Sequence, residues 1–132
     1  MLGFRRRDAR LAQIWDRALM VGLHSPAHQP YYTAWTCLGR VTKHKQRARR
    51  GTKARVVWLR DRQETAAWFW YARPRVGAYI LATGDWAPGT HHREDVFYVR
   101  QGDLEIIPNG ARGAYRRQQR REHRHAARRA TS

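Results

Sequence analysis

Residues 54–83 read ARVVWLRDRQETAAWFWYARPRVGAYILAT, three runs rich in β-branched and aromatic residues separated by Asp61-Arg62-Gln63 and Arg73-Pro74-Arg75. Such side chains suit a pleated, half-buried surface, whereas Asp, Pro and their polar neighbours suit turns. The stretch therefore predicts strands at 54–60, 65–72 and 76–83, joined by two short hairpins. Proline has no N–H for a sheet ladder, which keeps 73–75 out of any central strand. Working outward, 33–43 and 95–100 carry the same pattern, and 103–107 makes a sixth strand if it is counted. Strands this closely spaced form a meander or a small barrel. The fold class is accordingly mainly β, a five- to six-stranded barrel over 31–110.

The flanks differ in character. In residues 8–22 (DARLAQIWDRALMVG), Leu11, Ile14, Trp15, Ala18 and Leu19 fall at helical spacing, with Asp8 suited to cap the start and Gly22 to end the run. An N-terminal amphipathic helix follows, packed on the chain's own core. Residues 23–30 (LHSPAHQP), with two prolines and two histidines, read as a linker. After Gly110 and Gly113 the chain ends in AYRRQQRREHRHAARRATS. There Arg116, Arg120, Arg124 and Arg128 are four apart, with Arg117, Arg121 and Arg129 on the neighbouring row. A helix of that kind has dense positive charge and almost no apolar face, so repulsion is expected to leave 111–132 disordered or frayed until phosphates neutralise it. The same lack of an apolar face excludes it as a membrane-surface helix.

Composition narrows the function. A chain of 132 residues has room for one modest core, which makes a two-domain enzyme a poor fit. Lys and Arg number 27 against 10 Asp and Glu, a formal charge of +17, and such an excess repels itself unless a polyanion offsets it. Of the basic residues 24 are Arg, a preference that favours bidentate phosphate contacts and is equally what a GC-rich genome produces. The charge is uneven: +3 over 1–30, +10 over 31–75, −3 over 76–110 and +7 over 111–132. The partner should meet the second and last of these segments. Cys37 stands alone, which suits a reducing compartment, and no apolar run is long enough for a bilayer, so a soluble, cytoplasmic protein is expected. An opening with Arg5, Arg6 and Arg7 also fits a transit peptide, against which Asp8 and Asp16 argue.

From Cys37 to Val99 the strand pattern resembles the oligonucleotide/oligosaccharide-binding (OB) fold, a five-stranded Greek-key barrel. The resemblance rests on Gly39-Arg40-Val41 in a first strand, Val57-Trp58-Leu59-Arg60-Asp61 ending a second and Trp68-Phe69-Trp70 in a third. Val76 to Gly84 then looks like the fourth strand and Val96-Phe97-Tyr98-Val99 like the fifth. The match departs from the pattern in lacking a helix between the third and fourth strands and in having Gln63-Glu64 where a glycine is usual. An SH3-like barrel has similar spacing. What the OB resemblance implies is a ligand lying across strands two and three, flanked by the loops between strands one and two and between strands four and five.

The residues at those places support such a partner. Thr42 to Arg55 (TKHKQRARRGTKAR) reads as a flexible loop holding Lys43, Lys45, Arg47, Arg49, Arg50, Lys53 and Arg55 without one acid. Seven cations so placed can track a phosphate backbone, with counterion release driving affinity. On the strands, Trp58, Trp68, Trp70 and Tyr71 supply large rings. Alternation puts Trp68 and Trp70 on one face and Phe69 and Tyr71 on the other. Facing outward beside Arg60, the tryptophans make a platform on which bases stack; facing inward, they are core, and the sequence leaves both open. Arg93 and the tail residues Arg116, Arg117, Arg120, Arg121 and Arg124 complete the expected contacts. His91, His92, Glu94 and Asp95 crowd in the loop 85–95, where a metal or a general base could be built, yet no second cluster supplies further ligands at a recognisable spacing.

The expectation is thus a binder without catalytic residues or cofactor, taking single-stranded DNA or RNA with low sequence specificity. The alternatives are a structural component of a ribonucleoprotein or packaged-genome particle, with protein partners there, and a metal-dependent nuclease using the 91–95 cluster.

Overall fold

The computed structural model describes residues 2–30, 33–86 and 96–131. Five strands, β1 (Trp35–Ala48), β2 (Gly51–Trp58), β3 (Glu64–Trp70), β4 (Tyr79–Asp85) and β5 (Val96–Ile106), close a barrel in the order β1-β2-β3-β5-β4. All neighbours are antiparallel except β3 and β5. Two helices, α1 (Leu2–Val21) and α2 (Ala111–Thr131), flank the strands in the chain. The fold is therefore mainly β with a helix at each end of the sequence, as the sequence pattern predicts.

Two compact units divide the described chain. One contains 19–107 and the other combines 1–18 with 108–132.

In the barrel unit, alternation decides the core. Thr52, Ala54, Val56 and Trp58 of β2 are buried while Lys53, Arg55 and Val57 between them are half-exposed. Cys37, Val41, Ile80, Ala82, Ala67, Phe69, Phe97 and Val99 complete the interior. Trp58 packs edge-on against Phe97 with ring centroids 5.4 Å apart, and its Nε1–H donates to Thr65 Oγ1 at 2.8 Å, so even its polar atom is satisfied inside. The indole needs room: a Cβ on Gly39, which pairs with Trp58 across β1 and β2, would come within 2.7 Å of the ring.

Several boundaries depart from expectation for identifiable reasons. The stretch 42–55 is not a flexible loop: β1 runs on to Ala48, β2 starts at Gly51, and Arg49-Arg50 make the turn. Ladder pairing of Lys43 with Arg55, His44 with Ala54 and Gln46 with Lys53 outweighs the poor strand propensity of the charged residues. Strand β1 serves both neighbours, pairing β4 through 35–40 and β2 through 39–48. The two segments predicted separately merge in β5, which pairs β3 through 96–99 and β4 through 98–106. The connection around Arg73-Pro74-Arg75 is not a hairpin, because β3 and β4 are not neighbours in the barrel. It runs along β1 instead, with His44 Nε2 2.7 Å from the Pro74 carbonyl and Gly77 N donating to Val41 O. The 23–30 stretch is part of the barrel unit: Ser25 and Gln29 are buried, and Gln29 Nε2 donates to Gly84 O at 2.8 Å.

In the helical unit, α1 starts at Leu2, so Asp8 lies inside the helix rather than capping it. Its residue is only 7% exposed, and its carboxylate accepts from Arg117. The expected disorder of 111–132 gives way to α2, whose first turns hold the buried Ala111 and Ala114. Repulsion among the arginines is offset at the base of α2 by this burial and by Asp8.

Candidate nucleic-acid interface

Strand alternation puts the cations of the β1–β2 hairpin outside and gives them aromatic neighbours. Lys43, Lys45, Arg47, Arg49 and Arg50 are exposed, and Lys53 and Arg55 are half-buried along their stems. On β3, Phe69 is fully buried, so Trp68 and Trp70 lie on the outer face, half-buried. The ladder pairs Lys53 with Trp68, Gly51 with Trp70 and Arg55 with Ala66. It continues from Trp68 to Tyr98 of β5, so a cation and two rings stand in one row across three strands.

The two tryptophans brace each other, with ring centroids 5.3 Å apart and planes at 82°. Gly51 makes this possible. A Cβ there would meet the Phe69 carbonyl at 2.3 Å and the Trp68 ring at 2.8 Å, so the indole lies over bare backbone. Trp70 has Tyr71 as its other neighbour, at 6.4 Å. The alternation predicted for Tyr71 fails: β3 ends at Trp70, Tyr71 takes φ +53°, and the residue is 63% exposed instead of sharing the buried face of Phe69.

The cations are not equivalent. Arg55 Nη2 lies 3.8 Å from Glu64, whose other oxygen accepts from Thr42 at 2.6 Å, so one carboxylate already tempers its charge. Arg49, Arg50 and Lys53 have no carboxylate partner among the described residues.

Two expected contacts are corrected. Trp58 is 0% exposed and sits in the core, where no base can reach it. Arg60 is exposed in the turn after β2, at the end opposite Gly51. At about 3.3 Å per residue β2 itself spans roughly 23 Å from Gly51, beside Trp70, to Trp58, and Arg60 lies beyond Trp58, so it is not next to the platform. Arg93, together with His91, His92, Glu94 and Asp95, lies outside the described residues. Among the described residues no group of three or more His, Cys, Asp or Glu could hold a metal.

Arg116, Arg117, Arg120, Arg121 and Arg124 belong to the helical unit. Arg117 is engaged by Asp8, and Arg121 comes within 3.9 Å of the same carboxylate. Asp8, Arg117, Arg120, Arg121 and Arg124 line a groove of about 580 Å³. Arg116 is exposed.

Cys37 is buried, and burial first, then the charge of Asp61, pushes its thiol up to about 12. It is a core residue without nucleophilic character at neutral pH.

No protein-family model matches the chain, and no curated protein is detectably similar to it in sequence.

Proposed function

We propose that the protein is a cytoplasmic, OB-type binder of single-stranded nucleic acid, engaging the outer face of β2 and β3 and the β1–β2 hairpin. The observation that carries this reading is the juxtaposition of Trp68 and Trp70 with an acid-free run of cations on the adjoining strands. The barrel order β1-β2-β3-β5-β4 with a parallel β3–β5 pair supports the OB reading, since strands two and three then present the expected binding face. Stacking and backbone charge tolerate any sequence, so specificity is low and affinity strongly salt-dependent. Half-buried rings fit this work: packing fixes each indole while part of it remains in solvent for a base. The test is tryptophan fluorescence on titration with single- and double-stranded DNA and RNA over a salt series. Quenching by single strands, weakening steeply with salt, is the expected result. Indifference to every polymer at low ionic strength would end the proposal.

The second reading, a component of a nucleoprotein assembly, is favoured by α2. Residues 119–131 of this helix are exposed all round, with one acid, Glu122, among many arginines. A helical stretch of about 20 Å open to solvent on every side suits a surrounding polyanion. An assembly component would gain order or affinity only within its complex, whereas the isolated binder takes short oligonucleotides alone.

A further inference from the structure

Beyond the tryptophan platform, we infer that the groove at the end of β3 is a subsite for one nucleotide of the bound strand, with Tyr71 stacking its base and Arg49 and Arg73 holding its phosphate. The inference rests on the proposed binding of single strands and adds residues that the platform does not include.

The starting point is backbone geometry. Tyr71 has φ +53°, in the left-handed region where a bulky side chain is a genuine outlier. Glycine or asparagine would sit there more comfortably. Such conformations persist where the surroundings over-determine them, and they concentrate at ligand-binding positions. Here the constraint is visible: Tyr71 N donates to Arg50 O at 2.8 Å, tying the end of β3 to the hairpin turn. The result of the left-handed step is specific. An extended residue at 71 would put its ring on the side of Phe69, inside the barrel; the actual residue is 63% exposed, with its ring beside Trp70. The fold thus accepts backbone strain to hold an aromatic ring in solvent.

What that ring faces is a groove of about 370 Å³, within the size range of small-molecule sites. It is lined by Tyr71, Arg49 and Arg73 together with the small residues Ala48, Gly51, Thr52 and Ala72. Among the described residues no acid lines it, and neither arginine has a carboxylate partner. An exposed aromatic residue beside small residues and two arginines matches a planar base joined to a phosphodiester, because guanidinium binds phosphate through paired N–H donors. The groove continues the line of Trp68 and Trp70, so it receives the next nucleotide of the strand they carry.

The test uses the full-length chain, an unstructured oligonucleotide of about 12 residues, and the variants Tyr71→Gly, Tyr71→Phe and Arg73→Gln. Tyr71→Gly removes the ring and the strain together. Its melting temperature should be equal or higher while affinity falls about ten-fold or more, the loss expected for one stacked base. Tyr71→Phe should keep wild-type affinity, and Arg73→Gln should lower the salt slope by about 0.7. An oligonucleotide with a single 5-iodouracil should photocrosslink to Tyr71. If wild type binds and Tyr71→Gly binds equally well, the subsite is wrong and the platform stands. If Tyr71→Gly loses affinity and melting temperature together, with Tyr71→Phe restoring neither, Tyr71 is structural and the inference fails. A mononucleotide binding as tightly as the oligonucleotide would make the groove a free-nucleotide site and overturn the assignment. If wild type binds no polymer, the underlying reading falls as well, a result distinct from the others.

Discussion

Asp8 and Arg117 stand 109 residues apart in the chain and meet as a bidentate pair, with Arg117 Nη2 donating to Oδ1 at 3.1 Å and Nε to Oδ2 at 3.3 Å. The carboxylate is buried and the guanidinium about half-exposed, so the interaction ranks between a surface ion pair and a fully buried one. Replacement of Asp8 by Asn or Ala is expected to cost about 1–2 kcal/mol and to loosen α2, leaving Arg117 and Arg121 without their common partner. Circular dichroism at the helix band, with denaturant titration of Asp8→Asn, Arg117→Gln and the double variant, checks this; additive losses would show that the pair is not coupled. Arg117 therefore serves stability first, unlike Arg116 on the same helix.

The hairpin makes a quantitative claim about salt. Changing Lys45, Arg47, Arg49 and Arg50 together to Gln removes four cations from exposed positions, and each phosphate left without its cation should reduce the salt slope for a single strand by about 0.7. The logarithmic slope should flatten by roughly three while the melting temperature hardly changes. An unaltered slope would remove the hairpin from the interface.

Trp58 and Trp70 should separate stability from binding. Trp58→Ala opens a cavity in the core and leaves Thr65 without its donor, at an expected cost of about 3–5 kcal/mol. Trp70→Ala removes a half-buried outer ring, costing roughly 1 kcal/mol of stability but about 1–3 kcal/mol of oligonucleotide binding. Denaturant midpoints and fluorescence titration of the two variants would show the crossing; equal effects of both on stability would contradict the inside-outside assignment of the two rings.

Cys37 gives the chain a pH signature. Its folded thiol is pushed up to about 12 from an ordinary 9.0, chiefly by burial. Between those values the native state keeps a proton that the unfolded state releases. The contribution is fully present below pH 9 and is lost as pH rises toward 12. Stability of the wild type should decline more steeply over that window than that of Cys37→Ala. At about pH 8 an aromatic disulfide reagent should react with the thiol only after denaturant is added. Rapid labelling of the native protein would refute the burial.

The barrel can be read from the runs around Val57, Trp68 and Ile80 because alternation is enforced by burial: one face of each strand has nowhere to go but inside. The same rule places Phe69 opposite its tryptophan neighbours but does not say which side is wet, since Trp68 and Phe69 are both large and apolar. The deciding contact is non-local, the bare backbone of Gly51 under the Trp68 ring. The hairpin 42–55 reads as loop because its cations have low strand propensity, and the ladders that override it, β1 with β2 and β2 with β3, are not visible in the sequence pattern. Trp58 is legible as an aromatic on strand two but not as core, because Val57 and Trp58 are adjacent and either could face inward. Tyr71 lies beyond any periodicity, since a single left-handed residue after a strand leaves no mark in the pattern.

Closure of the five strands in a ring has a consequence for a chain so rich in aromatic β-sequence. A sheet with open sides offers unpaired N–H and C=O rows on which another molecule can add a strand, and crowding raises that risk. In the order β1-β2-β3-β5-β4, each strand has two neighbours over part of its length, and the longest stretches paired on one side only are the hairpin end of β1, which is rich in Lys and Arg, and the end of β5. On the proposed reading, copies gathered along one polymer would have few open strand edges through which to pair, and their mutual repulsion would need only to space them.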